Sequence, residues 1–365
     1  MDKIYSMLSR VFSILMLACF VSSCVEKSSQ SGIEKMLINQ SPQSLSLPLD
    51  TLPIDLLAPT DLVAVDTFLL VLQHHEEKII HVYSAHSYEC LGSFLRRGGG
   101  PNEVQAFGII NQSFMEDGLS KILIQSYPNY LGVLNIRRSL DEGETVYDRV
   151  YKFETDNARR LFMASDAVYL LSNTQLLMMK EPLRSGITEH ANFSFDFYDY
   201  EADELFRPNL LYEDFPLMDA FLKESAPALK PDGTKMALFY RFFDMVSIVD
   251  LQTGVVKQVV TDLGKYGVSR VMDVDTRKLY YKAGECSDSY LFGLYMNGFP
   301  VTEVDSPESS WTSVLRLFDW DGQLRYESDL GAKIRLIAVD DKQQYLYGVT
   351  EDDAIVRYDL SVLSE

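Results

Sequence analysis

A unit of four short strands recurs along the chain, and this recurrence restricts the fold more than any other feature. Each copy reads in one order. A first strand ends in Asp, a turn leads to a Tyr- or Leu-rich second strand, a third closes on Tyr-Asp-Leu or Val-Asp-Leu, and a fourth follows. Asp61–Leu95 reads DLVAVD, TFLLVLQ, KIIHVYS, ECLGSFL, and Ala228–Val260 reads ALKPDG, KMALFYR, MVSIVDL, GVVKQVV. Ile334–Leu360 reads IRLIAVDD, QYLYGVT, AIVRYDL and stops one strand short. Helical periodicity is nearly absent, with short candidates at Asn157–Ala164 and Pro216–Glu224. A lone four-stranded sheet cannot bury both faces, whereas a ring of such sheets buries each against its neighbours, which is the propeller solution. Dividing the 315 residues from Thr51 onward by a blade period of ~45–50 gives six or seven blades. Six fits the units that can be delimited, at 58–100, 101–156, 157–215, 216–266, 267–332 and 333–362. The fourth strand missing from the last unit can come from Leu45–Asp50 (LSLPLD), with Leu45, Leu47 and Leu49 facing inward. Pairing the two chain ends removes the edge that an open sheet would expose. The prediction is an all-β, six-bladed β-propeller over residues 45–365, closed by an N-terminal strand.

The segment before the body has a different grammar. Lys3 and Arg10 give a positive start, Val11–Val21 is an apolar core of 11 residues, and Ser22 and Ser23 lead into Cys24. Eleven residues are too few to span a hydrocarbon layer of ~30 Å, so residues 1–23 read as a secretory signal. Val21-Ser22-Ser23-Cys24 resembles the lipobox of bacterial lipoproteins. That resemblance implies cleavage before Cys24 and acylation of its thiol and new amino terminus, giving the several chains that stable anchoring needs. Val25 stands where an acid signals inner-membrane retention in some bacteria, which favours the outer membrane. Residues 24–44, rich in Ser and Gln, are expected to be a lipidated Cys and a flexible tether.

The charge balance removes one class of partner. With 53 acidic against 33 basic residues and a formal charge of -20, the chain lacks the cation excess that nucleic-acid phosphates demand. Its 47% hydrophobic content is too high for a disordered chain. Beyond Cys24, the body holds Cys90 and Cys286, which the blade assignment puts at different radii in non-adjacent blades. A disulfide needs Cα atoms within about 7 Å, so both are expected to be free, buried thiols.

Phe94–Glu103 (FLRRGGGPNE) is the most informative short motif. A link from the rim of one blade to the axis of the next gains from glycines that permit positive φ, and Pro101 would stiffen its exit. The functional alternative is an anion-binding nest at the channel mouth, built from Arg96, Arg97 and the amides of Gly98, Gly99 and Gly100. Glu103 is the counterweight, since pairing with one Arg would cancel the attraction. Lipobox, six degenerate blades and this motif together resemble the TolB-like six-bladed propeller lipoproteins of Bacteroidetes, whose motif is close to G-R-G-P-x-E. Gly98, Gly100, Pro101 and Glu103 match, and Gly99 stands where Arg is usual. The resemblance spans essentially the whole mature chain and implies fold and envelope location, for a family largely without assigned activity.

Other motifs favour architecture over chemistry. His74, His75, His81 and His86 share one blade, but His75-Glu76-Glu77-Lys78-Ile79 lacks the second His of a zinc helix, and no metal is assigned. Asp319-Trp320-Asp321-Gly322, Asp273-Val274-Asp275 and Pro231-Asp232-Gly233 read as turns rather than calcium loops. Phe193, Phe195 and Phe197 alternate onto one face as blade core. No G-x-S-x-G elbow is present, and Gly267-Val268-Ser269-Arg270-Val271 fails at its last glycine. The expectation is a non-enzymatic envelope module that needs no cofactor and binds a protein or small ligand. The alternative is a glycan hydrolase or lyase at the channel mouth, for which converging carboxylates on innermost strands would be the sign.

Overall fold

The computed structural model describes residues 32–38, 41–100, 102–104, 109–126, 130–181, 193–212, 224–261, 271, 273–304, 310–340, 342 and 344–364. The signal segment, Cys24, Pro101 and nearly all of the helix expected at Pro216–Glu224 lie outside the described residues.

Six antiparallel sheets follow one another along the chain. Blade I is built from Asp61–Val65, Phe68–Leu72, Lys78–Ser84 and Cys90–Arg97, and blade II from Ile109–Glu116, Leu119–Ser126, Tyr130–Asn135 and Tyr147–Lys152. Blade III takes Ala167–Leu170, Gln175–Lys180, Phe193–Asp199 and Glu204–Tyr212, and blade IV takes Ser225–Leu229, Lys235–Tyr240, Met245–Asp250 and Val256–Val260. Blade V comprises Lys278–Cys286, Tyr290–Pro300, Val314–Asp319 and Leu324–Asp329. Blade VI has three strands from the C-terminal region, Ile334–Val339, Tyr345–Thr350 and Ile355–Asp359, and a fourth, Leu49–Thr51, from the N-terminal region. From blade IV through blades V, VI, I and II to blade III, each first strand packs beside the next around the axis of a six-bladed β-propeller.

Period-two alternation explains why the blades stack. In Lys235–Tyr240, Met236, Leu238 and Tyr240 enter the core shared with blade III, while Ala237 and Phe239 enter the core shared with blade V. Phe68–Leu72 divides likewise, with Phe68, Leu70 and Leu72 toward blade II and Leu69 and Val71 toward blade VI. Among the described residues the buried apolar side chains fall into six clusters, one for each seam of the ring. Phe193, Phe195 and Phe197 are fully buried in the seam between blades III and IV, as their spacing predicts.

Two short helices decorate the ring. Asp156–Met163 matches the expected one within a residue and is capped by Thr155, whose Oγ1 accepts from the Ala158 N–H at 3.1 Å. Ile136–Glu142 escapes the sequence reading. It runs from the Asn135 cap to Gly143 at φ 70° and carries Arg137–Asp141 and Arg138–Glu142 pairs one turn apart.

The N-terminal strand closes the ring, but in a different register from that expected. Leu49, Asp50 and Thr51 oppose Tyr358, Arg357 and Val356, and Leu49 is 42% exposed, not inward. Leu45 and Leu47 are buried in the seam between blades V and VI, and Leu52 and Ile54 in the seam between blades VI and I. The expected flexible tether is also corrected where it is described. Ile33–Leu37 pairs in parallel with Val256–Val260 of blade IV, and Gln43–Ser44 pairs in parallel with Tyr326 and Glu327 of blade V. The segment is therefore a strap along the outer edges of three consecutive blades, held by backbone hydrogen bonds that side-chain patterning does not reveal. Glu103–Val104 covers the edge of blade I in the same way. The outer strand of blade III contains Pro208, which cannot donate to a further strand.

The cysteines are both free, but neither is buried as expected: Cys90 is exposed and Cys286 is half-buried. Cys90 opens the outer strand of blade I as expected, whereas Cys286 ends the first strand of blade V and donates to the Leu229 carbonyl at 3.1 Å.

Candidate functional site

The glycine motif is a closed loop. After Arg97 the chain turns through Gly98–Gly100 and returns beside its own strand, so that Arg96 and Arg97 lie opposite Glu103 and Val104 in parallel. This is the rim of blade I, not the channel mouth. Glu103 Oε2 accepts the Gly100 N–H at 2.8 Å, and a Cβ on Gly98 would lie 1.9 Å from the same oxygen. Gly98 and Gly100 are required for close approach of this carboxylate rather than for positive φ. The nest thus holds its own anion, Glu103, while Arg96 pairs with Glu77 at 3.3 Å on the surface. Of the predicted contacts, Gly98, Gly100 and Glu103 come together, and they serve one another.

Two other places gather chemistry. The first is the channel, where Asp61 of blade I and Glu285 of blade V line a space of about 100 Å³ with Asn111, Gln112 and Ser113 of blade II. Both carboxyls are hemmed in by protein. Desolvation pushes Asp61 up to about 7, against a downward pull from the Leu62 N–H that it accepts at 2.8 Å. Desolvation also pushes Glu285 up to about 8, and the charge of Asp61 adds to the rise. Either group can therefore keep a proton near neutrality, as carboxyls in poorly solvated sites do.

The second is a cavity of about 360 Å³ on the face of the ring that carries the loops between second and third strands and the links between blades. Blade V supplies Leu279, Tyr281, Lys282 and Met296, with Val304 and Trp311 from its long loop. Blade IV contributes Arg241, and blade VI contributes Glu351 and the preceding Lys333. The local fold explains how such distant positions meet. The Tyr280 N–H donates to the Arg241 carbonyl at 2.8 Å and ties blade V to blade IV, while the Glu351 N–H donates to the Lys333 carbonyl at 2.9 Å within blade VI and brings those two side chains to the same corner. Trp311 is buried among the apolar residues of the seam between blades III and IV. Lys282 and Lys333 stand 5.1 and 5.5 Å from its ring centroid, within reach of the ring quadrupole. The Trp311 Nε1–H is buried and has no hydrogen-bond partner among the described residues. Lys282 is ion-paired to Glu351, and Arg241 pairs with Glu224 at 2.6 Å.

The sequence reading misses this cavity, because its polar residues come one at a time from separate loops. The one available signal is that Trp311 is one of only two tryptophans and lies in the long stretch between two strand signals. The DWDG, DVD and PDG segments are turns, as expected. Gly322 N–H donates to the Asp319 carbonyl at 2.9 Å, Thr276 N–H to Asp273 at 3.2 Å, and Gly233 N–H to Lys230 at 2.8 Å. Among the described residues no group of three or more His, Cys, Asp and Glu side chains is placed to hold a metal ion.

No protein-family model matches the chain, and no curated protein matches it. Among solved structures it is similar to a member of the DUF4221 family from Bacteroides vulgatus, with TM-score 0.56 and 12% identity over 86% of this chain and 98% of that one. A candidate exported protein of Bacteroides fragilis aligns with TM-score 0.49 and 11% identity over 89% of this chain and 98% of that one. At these identities the first likeness shows the propeller fold, shared along nearly the whole length of that protein.

Proposed function

We propose that the chain is a lipid-anchored, TolB-like propeller of the bacterial cell envelope, held in the outer membrane through Cys24, that binds a small ligand and performs no chemistry on it. The cavity at the corner of blades IV, V and VI carries this reading. At about 360 Å³ it falls within the size range of small-molecule sites, and it combines apolar walls with convergent polar groups. Three of its lining side chains are cationic on a chain of formal charge -20, a local reversal of sign that draws charged ligands to one place.

The alternative is a glycan hydrolase or lyase, favoured by the raised carboxyls Asp61 and Glu285. Their shared space of about 100 Å³ is less than a third of the volume of the cavity at blades IV, V and VI, and so offers a ligand far less room. Binding is therefore the better reading.

The test uses the full chain immobilised, exposed to a cell-envelope extract, washed and eluted by heat. Small molecules recovered unchanged from wild type and absent from the Lys282→Met, Lys333→Met double variant support binding at the cavity. Identical eluates overturn the site, and recovery of cleaved glycan products from wild type but not from Asp61→Asn overturns the non-enzymatic reading. Anchoring has its own test, motivated by Val21-Ser22-Ser23-Cys24. Cys24→Ser is expected to move the protein from the membrane to the soluble fraction. Equal retention of the variant would mean that lipidation is not the anchor.

A further inference from the structure

The chemistry of the cavity narrows the ligand, given the reading that the cavity is the binding site. We infer that it takes a carboxylate carried on a compact ring, a single negative charge attached to a body with an apolar face. The charge follows from the lining groups. Among the described lining residues three cations, Arg241, Lys282 and Lys333, stand with one carboxylate, Glu351, which suits an anion. Lys282 is already paired with a carboxylate from within the cavity, that of Glu351, so a ligand carboxylate can take over a geometry the site has built.

Trp311 supplies the second, independent observation. Only 6% of the residue is exposed, and its Nε1–H lacks a partner. A buried donor left unsatisfied costs about 1–3 kcal/mol, which an incoming acceptor removes. With two ammonium groups 5.1 and 5.5 Å from its ring, that acceptor is favoured when it is an anion. Leu279, Met296 and Val304 add apolar surface to the lining, so the body of the ligand is compact and partly apolar. Two sources share this chemistry, a uronic acid released from glycans and an aromatic acid.

Titration calorimetry of the full chain with sodium glucuronate, sodium benzoate, glucose and benzamide separates them. At least one acid is expected to bind, with its uncharged counterpart at least tenfold weaker. Binding of glucuronate alone identifies the glycan source, and binding of benzoate alone the aromatic one. Lys282→Met should weaken the acid at least tenfold, and Trp311→Phe should weaken it while keeping the ring. Glu351→Gln should strengthen it severalfold by releasing Lys282, a gain that misfolding cannot mimic. The inference is overturned if the uncharged counterparts bind as tightly as the acids, or if Glu351→Gln leaves affinity unchanged or lower. If none of the four probes binds while the extract experiment still returns a Lys282-dependent molecule, the carboxylate class fails and the binding reading stands. If that experiment also returns nothing, both fail.

Discussion

A variant beginning at Leu52 is expected to lose at least about 3–6 kcal/mol of stability, from the burial of Leu45 and Leu47 alone at ~1.5–3 kcal/mol each. Both leucines sit in the seam between blades V and VI, at 7% and 6% exposure, and the same deletion removes the strand opposite Ile355–Asp359. The ion pair of Asp50 with Arg357 at 2.6 Å goes with it, although at an exposed site that pair contributes little. A variant beginning at Ser41 should lose only about 1 kcal/mol. Ile33–Leu37 is largely exposed and is held mainly by backbone hydrogen bonds whose net worth is offset by the entropy of ordering the strand. A variant beginning at Gly32 should melt with the full chain. Shortening to Leu52 also uncovers the outer edges of blades IV, V and VI, so concentration-dependent association is expected for that variant. Thermal unfolding of the three variants decides the matter. If those beginning at Ser41 and Leu52 melt together, the closure in the structure is wrong.

Replacing Lys121 with Met should cost about 1.5–3 kcal/mol, because it removes one of three cations from a largely buried charge cluster and leaves Glu116 and Asp148 each with a single Arg. Lys121 in the second strand of blade II is only 5% exposed, and its Nζ lies 2.5 Å from Glu116 and 2.9 Å from Asp148. Arg149 reaches Glu116 at 2.9 Å, and Arg138 reaches Asp148 at 3.0 Å. Burial by itself would raise both carboxyls. For Glu116 it is outweighed by hydrogen bonds from Lys121 and Arg149, and for Asp148 by those from Lys121, Asn135 and Arg138, so both are held below the ordinary value. Carboxyls depressed in the folded state stabilise it above their unfolded values near pH 4, and that contribution fades as pH falls through the lower folded values. Lys121 is shifted upward and stays charged throughout this window. Chemical unfolding at pH 7 and pH 3 should therefore show the wild type losing more stability on acidification than the Lys121→Met variant. A penalty that stays constant between the two pH values would mean that the cluster contributes packing rather than charge.

The legible part of the fold was the part in which side chains meet side chains. Met236, Leu238 and Tyr240 against Ala237 and Phe239 show why, since a blade buried on both faces writes its alternation directly into the chain. The closing strand was legible only in outline. Leu45, Leu47 and Leu49 look alike, yet two are buried and the third is exposed, because pairing begins at Leu49 and leaves Leu45 and Leu47 to fill the neighbouring seam. The strand Ile33–Leu37 left no trace because its attachment is through the main chain. Among site residues, Gly98, Gly100 and Glu103 were found as a unit, but the identity of the anion in the nest depends on a distance, Gly100 N to Glu103 Oε2, that spacing alone does not supply. Arg241, Lys282, Trp311, Lys333 and Glu351 were out of reach because no local pattern joins them. Their meeting is set by the order of the blades around the axis.

The strap also fixes how the molecule responds to being pulled. A load applied at the N-terminal side of Gly32 meets the five-residue parallel ladder between Ile33–Leu37 and Val256–Val260 before it reaches anything else. Drawn along its own axis, that ladder resists in shear, with its hydrogen bonds strained together instead of one after another. The next stop is the short pairing at Gln43–Ser44, and only then the strand that completes blade VI. Tension is thus dissipated on the outer edges of two blades, and the seam that keeps the circle shut is the last to feel it.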